Sequence, residues 1–505
     1  MPLTFDPNSQ SFTLAVIGSG AMGRGITQIA AQAGISVLLF DTNQDAVKSA
    51  QNSIKSTFDR LVEKNKMQAD QAAAALSRIT AAASLTALAN ADLIVEAIVE
   101  NLAVKRQLFA ELEPLVDEGT VLATNTSSLS VTAIGAQMQQ PGRFLGWHFF
   151  NPVPLMRVVE VVDGARTDSR ISDAMMVLSR RLGHTPVRAK DTPGFIVNHA
   201  GRAFGTEALR IVGEGVCDFI DVDRIMREAC GFRLGPFELM DLTGLDVSHP
   251  VMESIYHQYY EEPRFRPSVI AAQRYAAGLF GKKSGVGFYD YGNNTTPLEA
   301  ALPTTLPERI YISKVDAALH DKVSALFAGK IQLCSADQAE LQIVMPQGHD
   351  ATTAALDEGL DATRTVGIDT FTPLSKRRTL MTTPVTTAHA RALAQALFSS
   401  DGAPVTTIRD SAGFVAQRIL AMIVNVASEI AQQGIATPPD IDLAVQLGLG
   451  YPNGPLALGD ALGAARIDTI LENLLQSSGD PRYRASAWLR RRARLGVSLL
   501  TEESR

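Results

Sequence analysis

Residues 191–244 return as residues 410–463, in register and without a gap, at a constant offset of 219. Asp191/Asp410, Gly194/Gly413, Phe195/Phe414, Gly215/Gly434, Asp221/Asp440, Asp223/Asp442, Gly231/Gly450, Gly235-Pro236/Gly454-Pro455 and Asp241/Asp460 are identical pairs. Glycines and aspartates that keep such a register set turns and helix caps, so both segments must fold alike. Each opens with a turn and runs on as a long amphipathic stretch, which predicts a helical module. The preceding pieces share a plan too: Ala174–Leu182 then Pro186–Asp191, and Ala390–Leu397 then Pro404–Asp410. A whole unit, an α/β part followed by a helical part, is therefore expected twice. Asn293–Leu306, rich in Thr, Pro and Asn, reads as the linker between the copies.

The first copy begins with a phosphate-binding signature in its full context. Phe12–Ile17 is an apolar strand that runs into Gly18-Ser19-Gly20-Ala21-Met22-Gly23. A helical pattern follows through Ile26, Ile29, Ala30 and Ala33 and stops at Gly34. Ile35–Phe40 is a second strand, ending at Asp41. Strand, glycine turn, helix, strand and acid is the layout of a dinucleotide site. Gly18 permits the tight turn, Gly20 lets the backbone approach a pyrophosphate, and Gly23 lets helix and strand pack closely. The free N–H groups of the helix start then face the phosphates. Asp41 suits two ribose hydroxyls and repels a 2′-phosphate, and no arginine follows it, so NAD is favoured over NADP. The second copy has no such glycine motif between residues 325 and 405, which are too few for a complete dinucleotide fold.

Further strands are expected at Leu93–Ala97 and Val121–Ala123. The latter reaches Asn125-Thr126-Ser127-Ser128 at its C-terminal end, where open parallel sheets bind ligands. Ser127 and Asn125 are thus candidates to sit beside the nicotinamide, or else cap the next helix. In Trp147-His148-Phe149-Phe150-Asn151-Pro152 a histidine ends an apolar run. Glu160 then stands between Val158-Val159 and Val161-Val162, the pattern of a buried strand. A buried carboxylate needs a partner, and a strand-plus-turn return brings His148 alongside. The pair is either catalytic, with one imidazole tautomer held as a base, or a structural ion pair. The region 325–405 holds no counterpart to this segment, and Gln417 replaces Asn198. One active site per chain is expected.

A chain of 505 residues should hold several domains at about 100–200 residues each. The net charge of −7 offers no basic face for nucleic acid. Its apolar stretches are too short to span a membrane. Three cysteines without metal or redox spacing suit a reducing compartment. With no signal-peptide pattern in Met1–Gln10, a cytoplasmic location is expected. No His, Asp or Glu spacing asks for a metal.

Taken together, these residues resemble the L-3-hydroxyacyl-CoA dehydrogenase family. The resemblance rests on the Gly18–Gly23 segment, Val95-Glu96-Ala97-Ile98-Val99-Glu100-Asn101, Asn125–Leu129, and the His148 and Glu160 segment. It continues in Asp191-Thr192-Pro193-Gly194-Phe195-Ile196-Val197-Asn198 and Gly281–Tyr291. The two-unit layout is similar to the bacterial members that act on 3-hydroxybutyryl-CoA or, in phenylacetate degradation, on 3-hydroxyadipyl-CoA. It implies a Rossmann-type NAD domain over 1–190 and a helical domain over 191–292. A linker with a helix over 293–324, a reduced Rossmann-like unit over 325–405 and a second helical domain over 406–505 complete the α/β plus all-α chain.

The resemblance implies His148 as general base, Glu160 as its partner, and Ser127 and Asn198 on the substrate oxygens. It implies Gly18, Gly20, Met22, Gly23, Asp41, Glu100, Lys105, Ser127 and Asn151 as NAD contacts. Thr57 and Lys64, with Ser127, fall where CoA contacts are expected; a solvated helix face is the alternative for the first two. The partner is then a CoA thioester, and the helical domains pair within the chain or between two chains of a homodimer. A dehydrogenase of a free hydroxy acid such as L-gulonate, or a non-catalytic NAD-binding protein, are the competing functions. His184 and His199 read as helix or surface histidines. Arg490-Arg491-Arg492 reads as a solvated helix face, with contact to CoA phosphates as the alternative. Arg202, Arg210, Arg224 and Arg233 are unranked candidates to receive a terminal carboxylate.

Overall fold

The computed structural model describes residues 5–292, 299 and 301–503. Two compact units emerge, Met1–His199 with Gln433–Leu449, and Ala200–Gln432 with Gly450–Arg505. Among the described residues no helix is long and apolar enough to cross a membrane.

The first unit is built on eight strands: β1 (Thr13–Ile17), β2 (Ser36–Phe40), β3 (Ile79–Ala81), β4 (Leu93–Glu96), β5 (Val121–Thr124), β6 (Phe144–Phe149), β7 (Val158–Asp163) and β8 (Thr185–Lys190). Their order is β3-β2-β1-β4-β5-β6-β7-β8. β4 pairs with β1, so the chain crosses over and leaves the crevice in which such sheets bind ligands. All neighbours are parallel except β6 and β7, which run antiparallel with His148 opposite Glu160. β4, β5 and β6 are buried along their whole length, as expected where helices cover both faces.

The helices that position the site are α1 (Ala21–Gln32), α2 (Gln44–Glu63), α3 (Leu102–Leu112), α4 (Val131–Ile134) and α5 (Val197–Ala200). Asn43 caps α2 and Asn101 caps α3, each through its side-chain oxygen. Asp191 accepts hydrogen bonds from the Val131 N–H at 2.9 Å, the Thr132 N–H at 2.7 Å and the Ser130 hydroxyl at 2.7 Å, closing the start of α4.

The second unit holds a smaller sheet: β9 (Arg309–Ile312), β10 (Gln332–Leu333), β11 (Leu341–Val344), β12 (Thr365–Ile368), β13 (Arg378–Thr382) and β14 (Val405–Ile408), in the order β10-β9-β11-β12-β13-β14. β12 and β13 are antiparallel, and β13 and β14 are parallel, as β6, β7 and β8 are in the first. The smaller sheet therefore starts at 309, inside the stretch expected to be linker with helix. β9 has four residues and no glycine turn after it, so its pattern was too short to mark a boundary. The sheet also supplies structural counterparts to the His148 and Glu160 strands, which the sequence did not suggest.

In the same unit α6 (Arg202–Gly213) and α7 (Phe219–Arg224) belong to the first helical module, and α8 (Val415–Gln432) to the second. The modules pair within the chain. Arg418 on α8 is buried and donates to Glu207 on α6 at 2.8 Å and to Glu214 at 2.6 Å. The Tyr483 hydroxyl donates to the same Glu207 at 2.7 Å. Removing one partner of such a buried ionic cluster typically costs about 3–5 kcal/mol.

The last helix of interest, α9 (Pro438–Leu449), departs from the sequential domain scheme. It comes from the second copy yet belongs to the first compact unit, where it lies on β7 and β8.

Candidate active site

Glu160 is fully buried, with His148 only 4% exposed. Antiparallel pairing sets the two side chains on one face of the sheet, and His148 Nδ1 lies 2.6 Å from Glu160 Oε2. The other carboxylate oxygen accepts from the N–H groups of Ile196 and Val197, both at 2.9 Å. Those two N–H groups open α5 and are aimed by a left-handed turn, Gly194 at φ 78° and Phe195 at φ 49°. A phenylalanine at positive φ is uncommon and is held only where surroundings demand it. Its ring stands 5.7 Å from the His148 ring, and the Phe150 ring stands 4.4 Å from the same imidazole. With Glu160 accepting three hydrogen bonds, Nδ1 of His148 keeps its proton and Nε2 is left as the basic nitrogen.

The turn after β5 is gripped from several directions. Asn125 accepts from the Phe149 N–H at 2.8 Å, tying this turn to the end of the histidine strand. Asn198 donates to the Ser127 carbonyl at 3.3 Å, so these two predicted site residues are brought together. Glu100 accepts from the Thr126 hydroxyl at 2.6 Å and the Ser127 N–H at 3.0 Å. Burial pushes the Glu100 carboxyl up, but the Lys105 ammonium and these hydrogen bonds outweigh it and hold it below its ordinary value.

Lys105 is 1% exposed and holds Glu96 at 2.5 Å and Glu100 at 3.2 Å. Its ammonium is thus shared between the two carboxylates. Glu96 is not among the site residues expected from the sequence. Its signal is akin to that of Glu160, a lone carboxylate in a buried apolar strand, here at the strand's end.

The glycine turn has the form a dinucleotide needs. Gly18 has φ 102°, and a Cβ on Gly23 would fall 1.8 Å from the Gly18 carbonyl oxygen, so neither position takes a side chain. A Cβ on Gly20 would meet nothing within 4 Å, which leaves open space beside the first turn of α1. Gly20 caps α1 without a side-chain hydrogen bond. Asp41, at the end of β2, accepts from the Ser19 N–H at 2.8 Å and hydroxyl at 2.7 Å. Burial raises its carboxyl, and these bonds with that from the Asn43 N–H bring it below the ordinary value, so it is ionised. Met22 packs on the core beside the turn, and Asn151 is exposed just beyond β6. These residues fit NAD.

Other expectations are redirected. Thr57 gives its hydroxyl to the Ser53 carbonyl at 2.9 Å, while Lys64, seven residues on, is exposed at the end of α2. His184 and His199 are both buried, not surface residues. His184 donates from Nε2 to the Val153 carbonyl at 3.0 Å, and burial pushes its pKa down, which keeps it neutral. Arg492 is buried over the Trp488 ring and donates to the Thr501 carbonyl, so the arginine run is not a wholly solvated face. Arg490 pairs with Asp468 and Glu472. Arg210 pairs with Glu214 and Asp480, and Arg224 with Asp221 and Glu299, whereas Arg233 is exposed.

Residues 13–192 match the family domain "3-hydroxyacyl-CoA dehydrogenase, NAD binding domain", and residues 194–291 and again 413–499 match "3-hydroxyacyl-CoA dehydrogenase, C-terminal domain". A protein of Escherichia coli (strain K12) named 3-hydroxyadipyl-CoA dehydrogenase is 37% identical over 483 residues, 96% of this chain and 98% of that one. The chain belongs to the 3-hydroxyacyl-CoA dehydrogenase family. The dehydrogenase superposes on the crystal structure of 3-hydroxybutyryl-CoA dehydrogenase from Escherichia coli K12 substr. MG1655 with a TM-score of 0.85, at 36% identity over 96% of this chain and 98% of that one. An (S)-3-hydroxybutyryl-CoA dehydrogenase from Ralstonia eutropha gives 0.54 at 36% identity, over 55% of this chain and 98% of its own. The dehydrogenase is thus an NAD-dependent oxidoreductase acting on a CH–OH group.

Its second copy carries the same frame without the same groups. The Asp369 N–H donates to the Thr379 carbonyl across β12 and β13, which places Asp369 where His148 stands and Thr379 where Glu160 stands. Gln417, in place of Asn198, donates to Asp369 at 3.1 Å and to the Pro346 carbonyl at 3.1 Å. Phe414 does not share the positive φ of Phe195.

Proposed function

We propose that the dehydrogenase oxidises an (S)-3-hydroxyacyl-CoA to the 3-oxoacyl-CoA, with 3-hydroxybutyryl-CoA or 3-hydroxyadipyl-CoA as its substrate. The observation that carries this reading is the buried His148–Glu160 pair, with every Glu160 bond committed to fixing one imidazole tautomer. The names of the two Escherichia coli relatives support the choice of thioesters.

Nε2 of His148 takes the proton of the C3 hydroxyl as the C3–H bond breaks and the carbonyl forms. NAD, when bound, supplies the acceptor for the hydride. Glu160 stabilises the imidazolium that results, and the proton then leaves to solvent, so oxidation is favoured as pH rises. Ser127 and Asn198 hold the substrate oxygens and place C3, a positioning effect. Gly18, Gly20, Met22, Gly23, Asp41, Glu100, Ser127 and Asn151 hold NAD, with Lys105 acting through Glu100. Lys64 and Thr57 share one face of α2, two helical turns apart, and there Lys64 meets a CoA phosphate.

NADH formation should be followed by absorbance with (S)-3-hydroxybutyryl-CoA, its free acid and 3-hydroxyadipyl-CoA. Turnover of a thioester but not the free acid is expected, with kcat lowered by about 10²–10⁴ in His148→Ala. Turnover that survives this substitution rejects His148 as the base.

A further inference from the structure

The catalytic unit takes one segment, Gln433–Leu449, from the second copy. Its helix α9 buries Ile441, Ala444 and Val445 and lies on β7 and β8. Just before α9, the Ile435 carbonyl accepts from the Lys190 N–H at the end of β8, at 2.9 Å. The equivalent bond exists in the second unit, where the Val216 carbonyl accepts from the Arg409 N–H at 3.0 Å. Both pairs are related by the 219-residue offset, so each copy places the segment after its glycine turn on the other copy's sheet.

Near the end of α9 this contact comes close to the chemistry. A Cβ on Gly448 would lie 2.9 and 3.0 Å from the two methyls of Val197, and 3.5 Å from a methyl of Val158. Val197 provides one of the two N–H groups that hold Glu160, and Val158 opens the strand that carries it. The absent side chain at Gly448 therefore lets Val197 sit where it can grip the carboxylate behind His148.

We infer that the second copy serves catalysis in the first: α9 is a positioning element, and Gly448 sets Val197 and through it the Glu160–His148 pair. This rests on the reading of His148 as base. An extra methyl at Gly448 must push Val197 aside by several tenths of an ångström, and misplacement on the ångström scale at a reacting group lowers rates by up to about 10². The test compares Gly448→Ala, Val197→Ala and the double substitution in the full chain, measuring kcat, KM for NAD and melting temperature.

Gly448→Ala is expected to lower kcat about tenfold with KM for NAD within about twofold of wild type. Val197→Ala added to it should restore most of that kcat, because it vacates the space the new methyl needs. Losses that simply add, a fall in melting temperature without a fall in kcat, or no effect at all would each overturn the inference. If Gly448→Ala does not fold, Val445→Ala thins the same face without adding atoms, and an unchanged kcat there overturns it as well. His148→Ala is run alongside. Activity retained in that variant defeats the base assignment, and the inference with it; activity lost there while Gly448→Ala is unaffected defeats only the inference.

Discussion

Where the first copy sets His148 opposite Glu160 across β6 and β7, the second sets Asp369 opposite Thr379 across β12 and β13. The antiparallel step that creates the juxtaposition is kept; the groups that need it are gone. Asp410 still accepts from the Ala351 N–H at 2.8 Å and from the Thr352 hydroxyl, as Asp191 does from Val131, Thr132 and Ser130. Asp460 still takes the Leu499 N–H, as Asp241 takes that of Phe288. Bonds common to both copies maintain the fold. The positive φ of Phe195 is confined to the first, in the turn whose next N–H groups hold Glu160.

The comparison is broken most severely by Glu160→Gln. The amide oxygen can still accept from Ile196 and Val197, so the fold and melting temperature should survive. Its NH₂ would donate to Nδ1 of His148, leaving the proton on Nε2 and no base. A loss in kcat of about 10²–10⁴ is expected, and kcat within a few-fold of wild type would show that tautomer control is not what Glu160 does.

Next in size is Lys105→Met. The second copy has Ser313 at the strand position of Glu96 and no buried carboxylate there. In the first copy the substitution strands Glu96 without its counter-charge and should destabilise by about 3–5 kcal/mol in urea unfolding. It should also raise KM for NAD through Glu100. Unchanged stability would mean that Glu96 is satisfied by Thr124 and the Ile98 N–H alone.

Smallest is Asp369→Asn, which should leave kcat unaltered. Burial pushes the Asp369 carboxyl above its ordinary value despite the Phe371 N–H and the Gln417 amide. Its folded form thus holds the proton longer than the unfolded chain does. Stability is fully present below the ordinary carboxylate pKa and is lost as pH rises through the higher folded value. Asn has no proton to lose, so this decline should flatten in melting curves taken from acid to neutral pH. A variant that keeps the wild-type pH profile would exonerate Asp369.

Much of this was legible beforehand because it was local. The glycine turn with both flanking strands announced the cradle at Gly18–Gly23, and a lone glutamate among four valines announced the partner of His148. The duplication was visible in glycines and aspartates, whose backbone roles tolerate little change. What escaped depends on tertiary context. Lys105 reads as an NAD contact by resemblance alone, and only the fold shows it buried against Glu96 and Glu100. His184 reads as a helix or surface histidine, but the Val153 carbonyl and burial claim it. α9 carries no mark in its sequence that it belongs with the first unit.

That last placement bears on how the chain is made. The apolar face of β7 and β8 emerges from the ribosome long before Ile441, Ala444 and Val445 exist to cover it. Domains usually fold as they are synthesised, and contacts between distant parts of a chain form late. The catalytic unit must therefore wait, partly uncovered, for the translation of the second copy. Nascent chains arrested between the copies should be sticky, chaperone-bound and inactive, although His148, Glu160, Ser127 and Asn198 have already been made.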